Sequence, residues 1–227
     1  MYKLWMFDFD NTIARLEPVV DWAGGRLILE PYLRSIGTPD ELFAQFPRGN
    51  LLLYDACRTH MLAESNGQQV IEALRHASEI IEKIELAGVD RAQPLEGAIE
   101  TLAALKKSGA AVAIVTSNSS KTVKRWFDRN GGASVDAIVG RDTILGLKPA
   151  PDMLIRALEL LSVDRSEAAF VGDSEADLMA AQSCGVRFYG IAATDAVRDR
   201  LLAAGAGEIF GSPAALAIYL NLPRARA

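Results

Sequence analysis

Leu4-Trp5-Met6-Phe7-Asp8-Phe9-Asp10-Asn11-Thr12 is a run of large apolar residues that stops on two aspartates, an asparagine and a threonine. A short apolar run bounded by turn-forming residues reads as a buried strand. Asp8 and Asp10 lie two positions apart, so a backbone still extended there sends both carboxylates out on the same side. Two like charges side by side raise at least one pKa unless a cation or a proton intervenes. The stretch therefore asks for a metal ion or a proton-transfer role. Asn11 falls where the chain must turn off the strand, and Asn tolerates a left-handed backbone. On this stretch alone, an Asx turn that merely closes a strand is an equally open reading.

With 227 residues, half of them apolar, the chain can bury a sizeable core. A formal charge of −5, a pI near 5.2 and no basic run longer than Lys106-Lys107 within the body argue against nucleic acid and for small-molecule partners. Cys57 and Cys184 sit far apart in apolar contexts, which suits buried reduced thiols. No leader precedes the first strand, and no uncharged apolar run reaches the ~20 residues of a membrane span. The expectation is a soluble, cytoplasmic protein without a membrane partner. The tail 223–227 reads as a frayed end.

Beyond Thr12, apolar residues recur at three- and four-residue spacing over 19–33, 39–46, 50–64 and 68–86, with Val70, Leu74, Ala77, Ile81 and Ile84 as one example. These segments predict a helical insert at 16–93 with no strand of its own. From Pro94 the pattern alternates. Strands are expected at 111–115, 137–139, 168–171, 187–191 and 208–210. Helices are expected at 95–107, 120–130, 151–161, 175–184, 195–204 and 213–220. Continuous apolar strands alternating with helices predict an α/β fold, a Rossmann-like parallel sheet covered on both faces, built from 1–15 and 94–227. Ligands of such sheets sit beyond the carboxyl ends of the strands.

The residues following each strand are thus the ones to read. After 111–115 come Thr116, Ser117 and Asn118, before a helix N-terminus whose free N–H groups attract an anion. The loop after 137–139 holds Lys148 within Gly146-Leu147-Lys148-Pro149, and 168–171 is followed by Gly172, Asp173 and Asp177. Each alone passes for a helix cap or a solvated lysine. Gathered at one crevice they make a kit for phosphoryl transfer, with carboxylates suited to Mg²⁺ and an ammonium and N–H groups suited to phosphoryl oxygens.

The order Asp8-Phe9-Asp10-Asn11-Thr12, Thr116 after a strand, Lys148-Pro149, then Gly172-Asp173 with Asp177 resembles the four-motif pattern of the haloacid dehalogenase-like (HAD) hydrolase superfamily, in its phosphoglycolate phosphatase-like branch. The resemblance implies an Mg²⁺-dependent phosphatase for a small phosphomonoester, with the insert as a helical C1 cap. It implies Asp8 as nucleophile and Asp10 as acid and base. Mg²⁺ would be held by the Asp8 carboxylate, the Asp10 carbonyl and Asp173, with Asp177 ligating through water or orienting Lys148. Thr116 and the backbone at Ser117 and Asn118, with Lys148, would hold the phosphoryl group. Asn11 replaces the glycine of many members, and whether Thr116 or Ser117 supplies the hydroxyl stays open. Asp10, Thr12 and the Asp173/Asp177 pair argue against a dehalogenase. A phosphomutase of the same fold and a non-catalytic phospho-aspartate module are the alternatives. Arg15, Arg34, Arg48, Arg58 and His60 are candidates to meet the leaving group, Arg48 first, and cap and core are expected to hinge near Leu16 and Gln93.

Overall fold

Strand β1, Leu4–Phe7, is fully buried at the middle of a six-stranded sheet in the computed structural model, which describes residues 2–131 and 135–223. Residues 224–227, most of the tail expected to fray, lie outside the described residues. The other strands are β2 (Ala111–Val115), β3 (Ala137–Val139), β4 (Ala168–Gly172), β5 (Arg187–Ile191) and β6 (Ile209–Phe210). All pair in parallel in the order β3-β2-β1-β4-β5-β6. Strand order reverses between β1 and β4, which opens a crevice at their carboxyl ends. Phe7 stands opposite both Ile114 and Val171. Asp8, the residues after Val115 and the residues after Val171 therefore leave the sheet at nearly one level.

Alternation along β1 divides the interior. Leu4 and Met6 pack with Met153 and Leu154 of α7 (Asp152–Leu161) and Leu178 of α8 (Glu175–Cys184). Trp5 and Phe7 pack with Leu102 of α5 (Ala98–Lys107), Trp126 of α6 (Ser120–Arg129) and Leu216 of α10 (Pro213–Tyr219). Helix α9 (Asp195–Ala203) completes the core. Both faces of the sheet are covered, so every central strand can be apolar throughout.

The insert is helical as its spacing predicts: α1 (Trp22–Ser35), α2 (Asp40–Gln45), α3 (Asn50–Glu64) and α4 (Gln68–Gly88). Leu29, Leu33, Phe43, Leu53, Tyr54, Cys57, Ala77 and Ile81 are buried among them. Helix α1 starts at Trp22 rather than Val19 because Glu17–Val19 forms a separate 3-10 turn and Asp21 caps α1 through the Gly24 N–H. The chain segments entering and leaving the insert pair with each other: Arg15 N–H donates to Gln93 O at 2.9 Å and Leu95 N–H to Ile13 O at 2.9 Å. Helix α4 is longer than its apolar spacing suggests. It packs on α1 and α3, with Gly25 of α1 set close against Ile84, and its last turns also reach α6 through Glu82 and Glu85. Both cysteines are free and buried. Among the described residues no helix is long and apolar enough to cross a membrane.

Gly88 closes α4 against the incoming segment, and a Cβ there would lie 2.4 Å from the Val19 carbonyl oxygen. Gly88→Ala must displace backbone, so a loss of about 1–3 kcal/mol is expected. Urea unfolding measures it, and an unchanged midpoint would refute the close approach.

Candidate active site

Asp8 leaves β1 just past its last paired residue, and its backbone N–H still donates to Val171 O at 2.8 Å. Its carboxylate lies 2.5 Å from Lys148 Nζ, which lies equally close, 2.5 Å, to Asp177 Oδ1. Lys148 is delivered by the loop after β3, and its ammonium also sits over the Phe170 ring. Asp177 is wholly buried. Its Oδ2 accepts from the Asp173 and Ser174 N–H groups and from Ser174 Oγ, closing a capping box at the start of α8.

Asp8, Asp173 and Asp177 bring one carboxylate oxygen each within 4.8 Å of the others. A single ammonium faces these three carboxylates in a desolvated pocket. Burial, with the neighbouring Asp177 charge, pushes Asp8 up to about 7 against the pull of Lys148. Burial and the charges of Asp177 and Asp8 push Asp173 up to about 9. Lys148 goes the other way from what burial favours, because Asp177 and Asp8 raise it well above an ordinary lysine. Oxygen donors crowded beyond what one ammonium neutralises are the donor set a hard divalent cation fits.

The Asp10 carboxylate takes backbone partners that the two-residue spacing did not show. The strand ends at Phe7, Asn11 adopts a left-handed φ of 56°, and the Asp10 carboxylate turns to accept from the Leu16 and Glu17 N–H groups at 2.9 and 3.0 Å. Two otherwise free amides satisfy it better than a like-charged neighbour would. Asp10 thus caps the turn that opens the insert while still lining the crevice. Burial raises it to about 6, opposed by those two amides. The charges that crowd Asp8 come from β4 and α8 instead.

In the loop after β2, neither Thr116, Ser117 nor Asn118 is used up as a helix cap, because Ser119 takes that role for α6. Thr116 Oγ1 donates to Asn118 Oδ1 at 3.0 Å and accepts from the Asn118 N–H at 3.2 Å. Ser117 lines the crevice, and its hydroxyl has no bond among the described residues. The crevice holds about 350 Å³ and contains Asp8, Asp10, Thr116, Ser117, Asn118, Lys148 and Asp173. Roomier grooves along α1/α4 and α5/α10 gather no comparable cluster.

The insert reaches over the crevice with Leu51, Leu52 and Asp55 of α3. Asp55 Oδ1 accepts from the Leu147 N–H at 3.1 Å and from Arg58 Nε at 2.8 Å, tying insert to core beside Lys148. Arg48 is not brought to the crevice. It lies exposed on the loop ahead of Gly49, whose left-handed backbone starts α3. Arg15 is exposed, Arg34 pairs with Glu30 and Asp40, and His60 stands 3.4 Å from Glu64. Sequence reading missed Glu85 and Arg141, both wholly buried and in contact with each other behind the Thr116 loop. The signal was present, since Glu85 falls on the stripe of Leu74, Ala77, Ser78 and Ile81, a face too apolar to carry an unpartnered carboxylate.

The model of the family described as "Haloacid dehalogenase-like hydrolase" matches residues 5–191, from β1 through β5. The chain belongs to this family. A phosphoglycolate phosphatase of Pseudomonas fluorescens is 30% identical over 190 residues, 83% of this chain and 69% of that protein. The pyrophosphatase PpaX of Bacillus cereus is 27% identical over 194 residues, 80% and 79% of the two chains. The structure of CbbY from Rhodobacter sphaeroides in complex with phosphate superposes with a TM-score of 0.64 at 21% identity, covering 95% of this chain and 96% of that one. The HAD hydrolase described here falls in the phosphoglycolate-phosphatase-like branch.

The crowded carboxylates set the pH dependence of folding in the metal-free hydrolase. Asp8, Asp10 and Asp173 are raised, so between about pH 4 and about pH 9 the folded state holds protons the unfolded state has lost, and stability falls as pH rises. Lys148, raised above 10.5, contributes evenly across that window. Melting in chelator is expected to show a lower Tm at about pH 8 than at about pH 5, with Mg²⁺ restoring more at the higher pH. A Tm that is flat or rises over that interval would refute the crowding.

Proposed function

We propose that this HAD hydrolase is an Mg²⁺-dependent phosphomonoesterase that transfers the phosphoryl group of a small molecule to Asp8 and then to water. The observation that carries the reading is Asp8 itself, at the end of the central strand, gripped by Lys148 and facing Asp173 across the crevice. The Asp8 and Asp173 carboxylates and the Asp10 carbonyl would hold Mg²⁺, which when bound offsets charge on the nucleophile and on the phosphoryl oxygens. Asp177, with one oxygen committed to the Asp173-Ser174 turn and the other to Lys148, serves to fix Lys148.

In the first step an Asp8 carboxylate oxygen forms a bond to phosphorus as the ester P–O bond breaks, and Asp10 gives its proton to the leaving oxygen. Burial raises Asp10 to about 6, so a share of the molecules carry that proton near neutrality. In the second step Asp10 takes a proton from water, whose oxygen attacks phosphorus and releases phosphate and the Asp8 carboxylate. The Ser117 hydroxyl, and that of Thr116 once its proton turns from Asn118, would bind phosphoryl oxygens beside Lys148.

Phosphoglycolate heads the candidate substrates because relatives carry that activity in their names, with pyrophosphate next. Among the described residues lining the crevice, however, Lys148 is the only cation and already stands between two carboxylates. The deciding panel therefore pairs phosphoglycolate and pyrophosphate with esters of neutral alcohols, with and without Mg²⁺. Phosphate release dependent on Mg²⁺ is expected. Asp8→Asn should cut turnover by at least about a thousandfold while the protein still melts cooperatively. Substantial Mg²⁺-dependent hydrolysis by Asp8→Asn would end the nucleophile assignment.

A further inference from the structure

Two opposite charges are buried together behind the crevice, and neither lines it. Arg141, the first residue of the turn after Gly140, and Glu85, near the end of α4, are wholly shielded from solvent and meet at 2.7 Å. Removing both from water is costly, and an apolar pair of similar volume would generally serve stability as well or better. What the pair supplies is directed hydrogen bonding, shared between the 117–119 loop and the helices α4 and α6.

Arg141 Nη1 donates to Ser117 O at 2.8 Å, and the Arg141 N–H donates to Asn118 O at 2.9 Å. Glu85 accepts from Asn118 Nδ2 at 3.1 Å, from the Ser119 N–H at 3.0 Å and from Thr122 Oγ1 at 2.9 Å. Asn118, so held, binds the Thr116 hydroxyl. Every residue from Ser117 to Ser119 is thus gripped by groups that do not line the crevice, while the Ser117 hydroxyl, on the crevice wall, has no bond among the described residues. The other side of the guanidinium grips Ser78 Oγ and Ser78 O at 3.2 Å each. Ser78 and Glu85 are two turns apart on α4, so this stretch of the insert is fastened to the core.

We propose that Glu85 and Arg141 are positioning residues that hold the 116–119 loop in its phosphoryl-binding shape, and that α4 from Ser78 onward travels with the core. The proposal rests on the phosphomonoesterase reading. It makes the loop's shape answer to the seating of α4.

Arg141→Lys keeps the charge and loses the fork that spans Ser117, Glu85 and Ser78. Its Ki for inorganic phosphate and its KM for p-nitrophenyl phosphate are expected to rise about tenfold, the loss of one charge-assisted bond's worth of binding, with the Mg²⁺ concentration for half-activation unchanged. Lys121→Ala breaks the half-buried Lys121–Glu82 pair across the same helix contact and should leave both constants alone. Should Arg141→Lys fail to fold, the double variant Glu85→Leu with Arg141→Met removes both charges together and is expected to show the same rise. In the unaltered protein the Ser119 amide should exchange with deuterium as slowly as the interior of α4. Folded variants with unaltered Ki, or fast exchange at Ser119, would overturn the proposal. No turnover and no phosphate binding by the unaltered protein would overturn the phosphomonoesterase reading with it, whereas a normal unaltered protein with unshifted variants overturns this inference alone.

Discussion

Three carboxylates and one ammonium meet, largely shielded from bulk water, at the end of the strand on which the sheet is centred. Desolvation makes each uncompensated charge there expensive, and Lys148 cannot neutralise Asp8, Asp173 and Asp177 at once. The raised Asp8 and Asp173 are the direct result. The rest of the molecule holds this arrangement in place. Strands β1 and β4, bonded along their length, fix the spacing of Asp8 from Asp173. The α8 capping box fixes Asp177, and Asp177 fixes Lys148. A site under such electrostatic tension is ready for a dication and an anionic substrate, since each relieves the repulsion the other meets.

The helical insert is joined to this centre by polar contacts rather than by apolar packing alone. Asp10 caps the turn at the insert's entrance, Asp55 takes the amide next to Lys148, and Glu85 enters the back of the Thr116 loop. Three groups of the crevice wall therefore each touch a different element of the insert. The Asp10 carboxyl, the Lys148 loop and the Thr116 loop all depend on how the insert is seated. Bonds of this kind have direction, so a change of seating alters the site geometry in a way that sliding apolar surfaces would not.

Much of this was legible beforehand. The alternation of apolar strands with helices after Pro94, the strand-end positions of Thr116, Lys148 and Asp173, and the helical spacing of the insert all appear in the structure close to where the pattern put them. The left-handed Asn11 was legible from residue chemistry. Less legible were features that depend on which side chain wins a shared partner. Asp10 turned to the Leu16 and Glu17 amides, Ser119 rather than a neighbour became the α6 cap, and Arg48 fell on an exposed loop. Glu85 and Arg141 are 56 residues apart and belong to no short motif, so no local window brings them together.

By itself the sequence determined the sheet, the insert and the strand ends on which chemistry can sit, because periodicity and turn-forming residues act over a few positions and parallel sheets collect their polar residues at one edge. Tertiary structure alone decided which charges became neighbours. Electrostatics and hydrogen bonding act across space between residues far apart in the chain, and only the packing of α4, β4 and the two loops set Glu85 on Arg141 and Lys148 between Asp8 and Asp177.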